Sequence, residues 1–222
     1  DGCVYFNAYI TDRPNEILTQ ASLGCGYQSG VWQVNVGNFA SAWSPGDILH
    51  IDFIDECQGE EGILEYVLSA GGQNIDITLG ALSFNLITSI TTNVNAITLV
   101  KDTGATNAEE LAQEIPNAVE IAYWDNQFQA YVSHTIGSPI ANFPVYPGYP
   151  YFVTVSDAGT WTPVGSIPDP WPTFELQLSG TTNVNMISVP LSMLGIINAE
   201  ELARMVIDCT DVARWDAGEQ AY

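Results

Sequence analysis

Basic residues are nearly missing from this sequence. Arg13, Lys101, Arg204 and Arg214 are the only four, against 26 acidic residues, and the net charge is -22 over 222 residues. Four scattered cations cannot form a basic patch, so nucleic acid is not an expected partner. The same sign of charge disfavours docking on anionic lipid. No apolar run reaches the roughly 20 residues of a membrane helix, and no membrane insertion is expected. There is no CxxC pair or other zinc spacing, and the two histidines, His50 and His134, stand apart. Gly-x-Ser-x-Gly, His-Glu-x-x-His and phosphate-binding glycine loops are all missing, which points away from an enzyme. The absence of any Asn-x-Ser/Thr sequon leans toward a prokaryotic source.

What is present is apolar enough for a packed core. Hydrophobic residues make up 46% of the chain, and its length suits roughly one to three domains. The sequence begins at Asp1 without a signal peptide, which reads as a mature, processed form. The even set Cys3, Cys25, Cys57 and Cys209 reads as disulfides, and hence as an oxidising, extracellular compartment or cell surface. Cys25–Cys57 is the favoured pair, because both fall in loops of one domain. Cys3 and Cys209 then bridge either within one chain or between neighbours. No cofactor is called for. Asp52, Asp55, Glu56, Glu60 and Glu61 offer oxygen ligands for calcium, but the spacing is not that of an EF-hand and a solvated acidic loop is the preferred reading.

Residues 1–80 read as an Ig-like β-sandwich. Val4–Ile10 is strand-like, and Asp12-Arg13-Pro14-Asn15 is a turn. Trp32, Val34 and Val36 alternate with polar neighbours, and Leu49, Ile51 and Phe53 share one strand face. Ala70-Gly71-Gly72-Gln73 is a turn. Residues 81–172 read as a complete α+β module ending in the stiff segment Asp169-Pro170-Trp171-Pro172. Its helix is capped by Thr106 or Asn107 and stopped by Pro116. A hairpin around Pro147-Gly148 is expected to close its sheet.

Residues 173–222 repeat the first half of that module. Thr91-Thr92-Asn93-Val94-Asn95 returns as Thr181-Thr182-Asn183-Val184-Asn185, and Asn107-Ala108-Glu109-Glu110-Leu111-Ala112 as Asn198-Ala199-Glu200-Glu201-Leu202-Ala203. Trp124-Asp125 and Gln129-Ala130-Tyr131 return as Trp215-Asp216 and Gln220-Ala221-Tyr222. Matching over such a length is a duplicated unit. The first copy continues through Asn142–Gly148 and Tyr151–Val155, whereas the second is truncated at Tyr222. The fold class is therefore mostly β with α+β repeats: an Ig-like domain, one complete repeat and one truncated repeat.

Two motifs carry weaker chemistry. Asp102-Thr103-Gly104-Ala105 resembles the signature of retroviral-type aspartic proteases. The corresponding stretch of the second copy, Leu191–Gly195, has no aspartate to share the proton, so a structural turn is the better reading. Trp161 and Trp171 lie in proline-rich loops, where exposed aromatics can stack on carbohydrate.

The repeats, with their Thr-Asn-Val-Asn, Asn-Ala-Glu-Glu-Leu-Ala and Trp-Asp signals, resemble modules found in tandem in large secreted bacterial surface proteins. Residues 1–80, with Asn38-Phe39, Ala42-Trp43 and Ser44-Pro45-Gly46-Asp47, are similar to the Ig-like modules that accompany them. The expected function is that of an extracellular filament subunit. Copies join head to tail when a neighbour's strand completes the truncated repeat. The expected donor is the segment with Val4, Tyr5, Phe6, Ala8 and Ile10, and the acceptor contains Trp215 and Tyr222. A Cys3–Cys209 bridge between subunits would lock the joint. The alternative is a surface adhesin or carbohydrate-binding fragment.

Overall fold

The computed structural model describes residues 3–69, 74–89, 92–178, 183–189, 196 and 198–222. Within these the chain is mostly β, in antiparallel sheets, with two short α-helices. It separates into two compact units, Asp1–Ala81 with Leu191–Val212, and Leu82–Pro190 with Ala213–Tyr222. The stretch 173–222 is thus shared between them. The expected turn at 70–73 and the stretch 191–195 lie outside the described residues.

The first unit is built on a five-stranded sheet. Its strands are β1 (Val4–Ile10), β2 (Arg13–Thr19), β5 (Ile48–Asp55), β6 (Glu60–Val67) and β7 (Gly80–Ala81), in the order β2-β1-β5-β6-β7. The short hairpin of β3 (Gly26–Gln28) and β4 (Val31–Gln33) lies apart from this sheet. Alternation places Phe6, Ala8, Leu49, Ile51 and Phe53 on the buried face, where Trp32, Val36, Phe39 and Trp43 pack with them. Val34 and Val36 do not extend β4, because the Asn35 side chain caps a single 3-10 turn at Val36–Asn38. Pro14 lies in β2 rather than in a turn. An edge strand tolerates it, because one side of that strand has no ladder to donate to.

This topology corrects the expected donor. β1 is not spare: it pairs with β2 on one side and with β5 along its whole length on the other. Phe6 and Ala8 are fully buried. Withdrawing the strand would open the core and unpair two neighbours.

The second unit holds β8 (Phe84–Leu86), β9 (Val94–Thr98), α1 (Ala108–Glu114), β10 (Ala118–Asp125), β11 (Ala130–Thr135), β12 (Pro150–Val155) and β13 (Gly159–Trp161). Its main sheet runs β11-β10-β12-β9, and β8 pairs with β13. The segment after Pro147-Gly148 does not close the sheet as an edge hairpin. It enters the middle, between β10 and β9. That position explains why nearly every residue of β12 is buried. Tyr151, Val153 and Val155 join the core around α1, and Phe152 on the other face is covered by Tyr131 and Trp215. Asn107 caps α1 by accepting from the Glu110 N–H at 3.0 Å, and Pro116 follows the last turn. Leu111, Ala108, Ala112 and Ile115 pack onto Ile97, Ile121, Val153 and Val155. Residues 169–172 belong to this unit, with Pro172 against Gly148.

The second helix, α2 (Ala199–Met205), belongs to the first unit. No strand occurs in 183–189 or 198–222. Of the expected strand-helix-strand half-module, the described residues therefore contain the helix and the turn at 216–221, without a flanking strand. The pairing partner that β12 gives to β9 and β10 has no counterpart there.

Candidate assembly site

The matching segments take the same local conformations. Asn93 and Asn183 both have φ of 54°. The left-handed region is one that asparagine tolerates better than most residues. This bend lets the next asparagine use its amide as a surrogate peptide group. Asn95 accepts from Ile87 N–H at 2.9 Å and donates to Ile87 C=O at 3.0 Å. Asn185 does the same with Gln177, at 2.7 and 3.0 Å. Asn198 caps α2 through Glu201 N–H at 3.0 Å, as Asn107 caps α1. Asp125 and Asp216 each accept two backbone N–H groups of the following turn. Gln129 and Gln220 end those turns with φ of 53° and 54°.

These parts form two reciprocal clasps inside the second unit. Trp215 donates its indole N–H to the Val94 carbonyl at 3.0 Å, and Trp124 donates to that of Val184 at 3.0 Å. Gln220 accepts from Val94 N–H and donates to Val94 C=O, both at 2.8 Å. Gln129 pairs with Val184 in the same two ways, at 2.7 and 2.8 Å. Each valine therefore has its peptide N–H and C=O closed by a glutamine side chain, those of Val94 on the outer edge of β9. Tyr131 and Tyr222 meet hydroxyl to hydroxyl at 2.8 Å. Burial, then the Tyr131 hydrogen bond, raises the Tyr222 pKa above the ordinary tyrosine value. Trp215 also stands edge-on to Phe152. Removing the amide by Gln220→Ala is expected to destabilise the second unit by about 1–3 kcal/mol, because the Val94 N–H loses its partner and the Val94 carbonyl keeps only the Trp215 indole. Urea denaturation of the variant checks this, and Gln129→Ala is the matched control at Val184.

Burial is where the copies part. Leu111 is fully buried, while Leu202, at the same helix position, is only half-buried. Leu86 is 1% exposed and its counterpart Leu176 is 44% exposed. No residue of α2 is buried, although five of its seven residues repeat those of α1. Met205 and Ile207 extend the uncovered apolar surface. The missing contacts are those that Val153 and Val155 of β12 make in the complete copy.

The cysteines correct the expected pairing. The bridge is Cys3–Cys57, with a Cα–Cα distance of 5.5 Å. The antiparallel register Val4↔Asp55 dictates it, since it brings Cys3 beside the β5–β6 turn, where Glu56 N–H donates to Cys3 C=O. Cys25 and Cys209 are free thiols: Cys25 Sγ accepts from Asn35 N–H, and Cys209 Sγ donates to Asp211 C=O. Neither Cys25–Cys57 nor an intersubunit Cys3–Cys209 bridge is formed.

Other candidates resolve into local structure. Asp102 is exposed and accepts from Gly104 N–H at 3.1 Å, with Gly104 at φ 92°. This is the structural turn. Asp55 accepts from Cys57 and Gln58 N–H, and Asp52 contacts His50 at 3.0 Å. Among the described residues no three acidic, histidine or cysteine side chains come together as a metal site. Trp161 is buried and stacked on Phe84, so it offers no face to a sugar.

His134, which stands alone in the sequence, has its side-chain partner far along the chain. It is buried in β11, 2.8 Å from Glu109 at the start of α1, with its other ring nitrogen on Ile140 C=O. The Glu109 hydrogen bond holds the His134 pKa above its ordinary 6.5. The Gly137 N–H, then His134, hold Glu109 below its ordinary 4.5. The histidine's contribution to stability is therefore full below pH 6.5 and is lost as pH rises through its elevated pKa. The carboxylate's contribution is present above pH 4.5 and is lost as pH falls through its lowered pKa. The denaturation midpoint of the second unit is expected to fall from pH 6 to pH 9, and His134→Gln should flatten that slope.

The clasp glutamines and valines were not singled out individually from the sequence. Their signal was there, since Gln220 and Val184 are repeated residues outside the expected core. No protein-family model matches the chain, and no curated protein or solved structure matches it.

Proposed function

We propose that this chain is a structural subunit of an extracellular filament, joined head to tail by an extended apolar strand that a neighbouring copy adds to the second repeat. One observation carries the proposal: the helix that buries Leu111 in the first repeat recurs in the second with no buried residue. A helix of seven residues does not persist on propensity alone and is stabilised by covering its apolar face. The partner that fits is a strand of the β12 kind, apolar on both faces, because β12 is what covers the same face in the first repeat. The Ig-like reading of the first unit, with its β3–β4 hairpin over one face of the sheet, and the resemblance of the repeats to surface-protein modules support a prokaryotic cell-surface setting. The disulfide agrees with an oxidising one.

Electron microscopy and sedimentation of the purified chain test this. Fibres are expected, and a synthetic peptide of the β12 sequence should shorten them by occupying the open face. A peptide of the β1 sequence should have no such effect, because β1 belongs to another sheet. Monomers at all concentrations, with or without peptide, would overturn the proposal.

A further inference from the structure

An open groove of about 350 Å³ lies wholly within the second unit, between the β10 end, the Tyr146–Tyr151 segment, Phe174, Glu175, Gln177 and Met186. The volume is at the small end of ordinary ligand sites. Aromatic rings form its walls. Tyr146 and Tyr149 are 54% and 36% exposed, and their ring centroids are 5.7 Å apart. Phe174 continues the row, 5.2 Å from Tyr149. Exposed rings in sequence offer apolar faces at low entropic cost, whereas a core would have covered them.

The polar lining decides what the rings accept. The side chains of Gln127, Gln177 and Glu175 line the groove and make no side-chain hydrogen bond among the described residues. Asp125 adds a second carboxylate, and no lysine or arginine lines the groove. Carboxylates only accept hydrogen bonds, so the ligand must bring donors. An anionic polymer is repelled. A proline-rich peptide fits poorly, because it brings carbonyls and few N–H groups. The donor that would read those carbonyls, the Trp124 indole N–H, is already bonded to Val184. A pyranose has an apolar C–H face for the rings and a rim of hydroxyls that both donate to carboxylates and pair with amides.

We infer that this groove is a binding site for uncharged polysaccharide, stacked on Tyr146 and Tyr149 and hydrogen-bonded by Gln127, Glu175 and Gln177. It is independent of the filament reading: it lies within the second unit, lined by residues 123–151 together with Phe174, Glu175, Gln177 and Met186, and needs no second copy.

Calorimetric titration of the whole chain with cellohexaose, maltohexaose and hexa-N-acetylchitohexaose, all neutral, tests it, with polygalacturonate as the anionic probe. At least one neutral probe is expected to bind and polygalacturonate is not. Tyr146→Ala and Tyr149→Ala should each weaken that binding roughly ten-fold, the loss of one stacked ring. Phe128→Ala removes an exposed ring outside the groove and should leave binding unchanged. Unaltered circular dichroism of the tyrosine variants separates loss of the site from loss of the fold. No binding by any neutral probe, binding unaffected by both tyrosine variants, or preference for polygalacturonate would each overturn the inference.

Discussion

Replacing Leu111 with alanine is expected to destabilise the second unit by about 2–5 kcal/mol, whereas Leu202→Ala should change the stability of the isolated chain by less than about 1 kcal/mol. The two residues occupy the same place in the same helix motif, so the contrast isolates packing. Leu111 is fully enclosed by Ile97, Ile121, Val153 and their neighbours, and truncation leaves a cavity. Leu202 is only half-buried, and truncation removes surface that water already reaches. Urea denaturation of both variants measures the difference. In the assembled state the order should change: Leu202→Ala is expected to raise the concentration needed for fibres, because the neighbour's strand then finds less to cover. Equal losses from both substitutions in the isolated chain would show that the α2 face is already covered.

Loss of the Cys3–Cys57 bridge is the second large effect. Cross-linking across a sequence separation of 54 restricts the unfolded chain by roughly 4 kcal/mol on loop-entropy grounds. Cys3→Ser with Cys57→Ser should lower the stability of the first unit by about that amount. Cys25→Ser and Cys209→Ser remove only weak sulfur hydrogen bonds and should cost little. Thiol titration of the unfolded, unreduced chain should find the two thiols of Cys25 and Cys209. On a denaturing gel without reductant, fibres should dissociate to monomers. A ladder would mean that Cys25 or Cys209 joins neighbouring subunits.

Much of the local structure could be read from the sequence because its causes are local. Alternation in Leu49, Ile51 and Phe53 marks one face of β5, and the register bears this out. Asn107 before Glu109 and Glu110 marks a helix start, since the cap needs only its own turn. Cysteine pairing was not legible, because it depends on which strands lie side by side, and β1 against β5 places Cys3 by Cys57. Strand order was not legible either. A run such as Pro150–Val155 reads as a buried strand, but nothing within it says that it enters between β9 and β10. The role of His134 was not legible because its partner, Glu109, is 25 positions away.

By itself, the sequence determined the β-rich character, the duplicated capping and turn motifs, the scarcity of basic residues and the lack of an apolar run long enough for a membrane helix, all of which follow from composition or from spacings within a few residues. Only the tertiary structure decided which of two like helices has a core beneath it, which peptide groups are closed by Gln129 and Gln220, and which aromatics are left facing water. Those depend on contacts between residues up to 126 positions apart, whose free energy arises from exclusion of water and from paired peptide groups, and neither can be assigned before the partners are placed.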